Sequence, residues 1–72
     1  MADVKSEVTG SVWKIVVTEG QTVSEEDELM ILESMKMEIP VEAPCDGVVK
    51  KIHVAEGQQI GTDELLVTIE ES

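Results

Sequence analysis

Apolar and polar residues alternate along several short stretches of the chain. In residues 65–70 the apolar Leu65, Val67 and Ile69 share one face, with the period of a half-buried β-strand. Residues 11–17 and 47–54 are short, rich in β-branched side chains and flanked by glycine. Residues 39–42 predict a further strand, with Pro40 at an edge or at a first position because proline has no N–H for a ladder. The pattern predicts a protein built of short strands.

The chain contains an internal repeat, in which residues 10–21 align with residues 47–58. After a slip of one residue, 27–29 also match 63–65. Two copies predict two halves of one barrel related by a pseudo-two-fold axis, since a solenoid needs at least three units. The identical pairs in the first block are Gly10/Gly47, Val12/Val49, Lys14/Lys51, Ile15/Ile52, Val17/Val54, Glu19/Glu56, Gly20/Gly57 and Gln21/Gln58.

One segment favours a helix when it is taken alone. Residues 24–37 are rich in helix formers, and Ser24 with Asp27 imitates a capping pair. The counterpart in the second copy, residues 62–69, is β-branched and alternating, and related segments should share a conformation. We therefore predict a strand over residues 29–34 and an all-β fold, with positive φ at the turn glycines Gly20 and Gly57.

The repeat also predicts where the segment between the copies lies. Residues 33–40 join the end of one half to the start of the next, so Lys36 should stand at a hairpin tip. With the slipped offset its counterpart is Ser72, the last residue. The tip and the chain termini are therefore expected at opposite ends of the molecule.

Length and charge exclude several classes of function. The chain has 72 residues, five lysines, 16 acidic residues and a net charge of −11, which predicts a single domain over 1–72 and disfavours nucleic acids and anionic membranes as partners. One cysteine, Cys45, forbids an internal disulfide, and with His53 it cannot build a structural zinc site. No metal is predicted. Without a membrane span or a signal segment, we expect a cytoplasmic location.

The segment Glu33-Ser-Met-Lys-Met-Glu38 resembles the biotin attachment motif of biotinyl domains, in which the lysine is the acceptor. The resemblance extends over residues 4–70 and includes residues 10–15 and 43–47. It implies a flattened antiparallel β-barrel or sandwich of two four-stranded sheets without a thumb insertion. It also implies covalent biotin on Lys36. It further implies that Met35 and Met37 are recognised by the ligase and orient the lysine. Glu33, Ser34 and Glu38 would complete the hairpin motif.

The chemistry that the resemblance implies is that of a carrier and not of an enzyme. Lysine amines are almost wholly protonated at neutral pH, so Lys36 suits the role of a substrate that a separate enzyme acylates. In the family that enzyme is a biotin protein ligase using ATP. The biotin arm then moves a carboxyl group between biotin carboxylase and carboxyltransferase components of an acyl-CoA carboxylase, another carboxylase or a decarboxylase. No residue is predicted to be catalytic, and the isolated domain is expected to be a monomer.

Two other functions stay open at this point. A lipoyl carrier would share the barrel and the displayed lysine, although lipoyl lysines are typically flanked by Asp and Ala. An unmodified interaction module would not need Lys36 at all. Of the remaining residues, Trp13 is expected to be partly exposed, His53 an exposed strand residue and Cys45 an unreactive thiol. Ser34 is expected to bond within its turn, and the initial Met1 favours a free-standing protein.

Overall fold

The computed structural model describes residues 1–71, so Ser72, the expected counterpart of Lys36, lies outside the described residues. The described residues form eight strands and no helix, which confirms the all-β prediction. The strands are β1 (Ala2–Lys5), β2 (Gly10–Ile15), β3 (Thr22–Val23), β4 (Glu28–Ser34), β5 (Met37–Glu42), β6 (Gly47–Ile52), β7 (Gln59–Ile60) and β8 (Leu65–Glu71).

The strands form two four-stranded antiparallel sheets that enclose one core. One sheet has the order β1-β8-β6-β3, and the other has the order β5-β4-β2-β7. Inward and outward side chains alternate except at the register shifts, and at those of β4 and β8 two consecutive residues are buried. The apolar core includes Leu29, Met30, Leu32, Leu66 and Ile69, none more than 1% exposed. Pro40 lies on the edge strand β5, as predicted. The β4–β5 hairpin belongs to one sheet, whereas both chain ends belong to the other.

The strand pairs and the turns of the two halves correspond with a constant offset of 37 residues. Lys14 pairs with Ile31 in one sheet, and Lys51 pairs with Thr68 in the other. The left-handed residues of the matching turns, Glu26 and Asp63, have the same offset. The slip of one residue inferred from the sequence is therefore wrong, since the similarity of 27–29 to 63–65 is out of structural register. With the correct offset, Lys36 would correspond to position 73, one beyond the last residue.

Each half binds a β-bulge of the other half through a glutamate, an arrangement we call the bulge clamp. The ladder of β2 shifts between Val12 and Lys14, and the backbone N–H of Ile15 donates to Glu56 Oε2 at 2.9 Å. The equivalent bulge in β6 leaves the N–H of Ile52 to donate to Glu19 Oε2 at 3.0 Å. The repeated glutamates thus have a structural role, because their carboxylates accept hydrogen bonds from backbone N–H groups that the bulges leave without a partner in the ladders.

The repeated glycines and glutamines complete the same turns. Gly20 and Gly57 have φ of 90° and 86°, which confirms the expected positive φ. The side-chain oxygen of Gln21 accepts from the N–H of Thr18, and that of Gln58 accepts from the N–H of Ala55. The residues between β2 and β3 match in number those between β6 and β7, so no thumb is inserted.

The helix-like signal at residues 24–27 comes from a tight turn. The Asp27 carboxylate accepts from the N–H of Ser24 at 2.9 Å, while the N–H of Asp27 donates to the Ser24 carbonyl. A capping box also contains the first of these bonds, from the backbone N–H of its first residue to an acidic side chain three residues later, which explains why the sequence imitates a helix start. Glu26 then has φ of 74°, which ends any helix and directs the chain into β4.

Candidate functional site: the β4–β5 hairpin

Lys36 lies at the tip of a two-residue hairpin turn. Ser34 and Met37 form the last pair of the β4–β5 ladder, which leaves only Met35 and Lys36 to connect the strands. Both turn residues have positive φ, 52° and 65°. Two-residue hairpins of type I′ require positive φ at both central positions, because their twist then matches that of the strands. The Lys36 side chain is exposed, as the sequence predicted.

The two methionines beside Lys36 make little contact with the protein body. Met35 is 92% exposed and Met37 is 64% exposed. Met35 belongs with Lys36 to the turn, where the alternation of a strand does not apply. A packing role for the two side chains is therefore unsupported. They present two unbranched, polarisable side chains to solvent around the amine.

Two contacts hold the base of the hairpin against the β1–β2 connection. The Ser34 hydroxyl donates to the backbone carbonyl of Thr9 at 2.8 Å. This corrects the expectation of a bond within the turn. A side chain at Gly10 would overlap the carbonyl oxygen of Glu33, so the two strands approach each other closely there. The hairpin base is thus fixed while its tip is free.

The charges around Lys36 are carboxylates that face each other across the hairpin. Glu33 of β4 lies directly opposite Glu38 of β5, and both side chains are exposed. Like charges at directly opposed positions are destabilising. Among residues 1–71 the ion pair present joins the Met1 ammonium to Glu71, at 3.4 Å, so neither glutamate is paired with Lys36.

The remaining candidate residues lie away from the hairpin tip. Cys45 is half-buried, and this burial, with the carboxylates of Glu71 and Asp46, raises the pKa of its thiol, which agrees with an unreactive cysteine. His53 is exposed as expected, but it lies just beyond the end of β6 and not within a strand; its Nε2 lies 2.8 Å from the hydroxyl of Thr68. Trp13 is 50% exposed, as expected. Across residues 1–71, no cluster of three potential metal ligands occurs and no helix is long and apolar enough to cross a membrane.

The fold and the hairpin define a class of small β-barrel domain that displays a lysine at the tip of a hairpin. The chain belongs to the family described as biotin-requiring enzyme, whose sequence profile matches residues 1–69. It is 45% identical over 67 residues to a Biotinylated protein TB7.3 homolog of Mycobacterium leprae, covering 93% of this chain and 94% of that protein. It is also 41% identical over 67 residues to pyruvate carboxylase of Staphylococcus aureus, covering 93% of this chain but only 6% of that enzyme.

Solved structures show the same architecture. The urea carboxylase of Kluyveromyces lactis matches 96% of this chain with a TM-score of 0.91 and 35% identity, over 6% of its own length. The lipoyl domain of the 2-oxoglutarate dehydrogenase complex of Azotobacter vinelandii matches 99% of this chain and 98% of its own, with a TM-score of 0.84 and 26% identity. The carrier fold is thus confirmed.

Proposed function

We propose that this chain is a biotin carboxyl carrier domain in which Lys36 is the attachment residue. The observation that carries the proposal is an exposed lysine at a two-residue turn, flanked by two exposed methionines, in a chain of a biotin-dependent family. When attached, biotin supplies a ureido nitrogen that accepts and releases a carboxyl group. In this proposal no residue of the chain catalyses a reaction, so the domain is a carrier and not an enzyme.

The geometry of the hairpin suits Lys36 to acylation by another protein. Its amine extends from a turn whose neighbours make no ion pair with it, so an enzyme can surround the side chain without breaking contacts of the domain. The base of the hairpin is fixed by Ser34 and Gly10, so the amine is displayed from a defined position. Met35 and Met37 would contact the ligase and orient the lysine, with Glu33, Ser34 and Glu38 completing the hairpin.

The biological setting is part of the same proposal. The domain would span residues 1–72, act as a monomer in the cytoplasm, and be modified by a biotin protein ligase. It would carry the carboxyl group between the biotin carboxylase and carboxyltransferase components of a carboxylase or decarboxylase. The tether of lysine and biotin, on the order of 15 Å long from summed bond lengths, raises the effective concentration of biotin at both sites.

The test is acylation by a purified biotin protein ligase with biotin and ATP, followed by an avidin gel-shift assay. The wild-type chain and Lys14→Arg should be shifted, whereas Lys36→Arg should fold with the same melting temperature and show no shift. Lys14 is the matched control, since it is an exposed lysine of the same sheet. A shifted Lys36→Arg variant would show that the acceptor is a different residue.

A further inference from the structure

The outer surfaces of the two sheets differ at positions that the internal repeat makes equivalent. The sheet that carries Lys36 has four apolar residues on its outer surface, which together we call the apolar patch: Trp13, Val16, Ile31 and Pro40. With the offset of 37, their counterparts on the other sheet are all polar: Lys50, His53, Thr68 and Asp3. At these four positions the sheet with the hairpin is apolar and the other sheet is polar, whereas the exposed Val48 of the other sheet corresponds to Ser11.

The patch residues are neighbours on the sheet. Ile31 lies opposite Pro40 in one ladder and opposite Lys14 in the other, and Trp13 lies in the bulge beside Lys14. The counterparts of Val16 and Ile31, His53 and Thr68, form a hydrogen bond of 2.8 Å, so these two positions are adjacent in the repeat. Trp13 and Val16 are 50% and 45% exposed.

The fold itself does not need apolar residues at these positions. The polar counterparts occupy the same backbone positions, with the same bulge and the same strand pairing. Exposed apolar side chains gain little in an isolated domain, and a contiguous group of them marks an interaction surface. A group of this kind fits a surface that contacts another molecule.

The charges at the two ends of the patch indicate the chemistry of that molecule. Along the hairpin, the Ile31–Pro40 pair lies between two pairs of directly opposed carboxylates, Glu33–Glu38 and Glu28–Glu42. On the other sheet, the pair that corresponds to Glu28–Glu42 is Leu65–Lys5, in which no like charges face each other. Lys14 is the one positive charge opposite Ile31. A partner with an apolar centre and arginine or lysine at both ends would relieve the repulsion and fit the surface.

We propose that this surface is the docking site for the biotin protein ligase that acylates Lys36, an inference that rests on the proposed function. The amine of Lys36 must enter the active site of the ligase, and Pro40 is only four residues along β5, about 14 Å away. An enzyme that encloses the amine therefore reaches the near end of the patch, which is formed by Ile31 and Pro40. A carboxylase active site receives biotin at the end of the longer lysine–biotin arm, so the carboxylase needs less contact with this surface than the ligase does.

The experiment exchanges patch residues for their own counterparts. Trp13→Lys, Ile31→Thr and Pro40→Asp are combined in one variant, and the steady-state kinetics of biotinylation by a purified ligase are measured with saturating biotin and ATP. The variant should fold, because each new residue is already accepted at the equivalent position. We expect KM for the domain to rise at least ~10-fold, which corresponds to ~1.4 kcal/mol, with kcat changed little because Lys36 and its turn are intact.

A matched variant on the opposite sheet, Lys50→Ala with Thr68→Ala, should keep the wild-type KM. Glu28→Gln with Glu42→Gln should raise KM and weaken its dependence on salt, because two charges that face the basic groups of the ligase are removed. A wild-type KM in the folded patch variant would overturn the docking site while leaving the carrier function intact. An equal rise in KM for the opposite-sheet variant would also overturn it. Absence of biotin on the wild-type chain would instead contradict the proposed function.

Discussion

The bulge clamp predicts that removing either glutamate lowers the stability of the domain and exposes one particular backbone N–H group. Glu56→Ala removes the carboxylate that accepts from the N–H of Ile15, and Glu19→Ala does the same for Ile52. Each clamp joins one half of the barrel to the other. The two losses should therefore weaken the association of the halves and not merely the local turn.

The size of the effect follows from the surroundings of the bond. A hydrogen bond to a charged group contributes about 1.5–3 kcal/mol when it is shielded. Glu19 and Glu56 are exposed, and water can replace the lost acceptor, so we expect about 1 kcal/mol for each alanine variant. That is a sizeable part of the roughly 4–11 kcal/mol typical of a domain of this length. The melting temperature should fall by about 4–8 °C.

Thermal unfolding followed by circular dichroism measures the loss, and amide hydrogen exchange assigns it. Glu56→Ala should speed exchange at Ile15 more than at Ile52, whereas Glu19→Ala should do the reverse. Glu56→Gln keeps an acceptor without the charge and should lose about half as much stability. Glu7→Ala, an exposed glutamate in the β1–β2 connection, is the control. The clamp would be refuted if Glu56→Ala melted with this control and the exchange of Ile15 were unchanged.

Three further predictions concern the hairpin and the thiol. Gly10→Ala should destabilise the domain by more than 1 kcal/mol in urea unfolding, because the new methyl group meets the carbonyl of Glu33; an unchanged midpoint would exclude that close approach. Met35→Asn should raise the melting temperature by a few degrees, because asparagine tolerates the positive φ of this turn better; no rise would mean that the turn is unstrained. Iodoacetamide should alkylate Cys45 more slowly at pH 8 in the folded chain than in urea, since a raised pKa lowers the thiolate fraction; equal rates would contradict this.

The sequence predicted the long strands because their apolar residues alternate and their ends carry glycine. The hairpin tip followed from the repeat, since a segment between two equivalent halves has to connect their strands. The strands β1, β3 and β7 were not identified individually, because two to four residues carry too little periodicity to stand out from loops.

Other features depended on contacts that sequence patterns do not contain. The similarity between residues 27–29 and 63–65 suggested a slip, whereas the ladders follow the burial of Met30 and Val67 and keep a constant offset. The bond from Ser34 to Thr9 joins residues 25 positions apart, so no local pattern indicates it. The exposure of Met35 depends on the handedness of the turn, which a methionine does not signal.

The central claim is that Lys36 of this chain carries biotin. The most direct measurement is the intact mass of the wild-type chain, with peptide mapping, after incubation with a biotin protein ligase, biotin and ATP, and in parallel with a lipoate ligase and lipoate. We predict one biotinyl group, located on the peptide that contains Lys36, and no lipoyl group. A lipoyl adduct in place of the biotinyl group, or a folded chain that neither ligase modifies, would contradict the assignment.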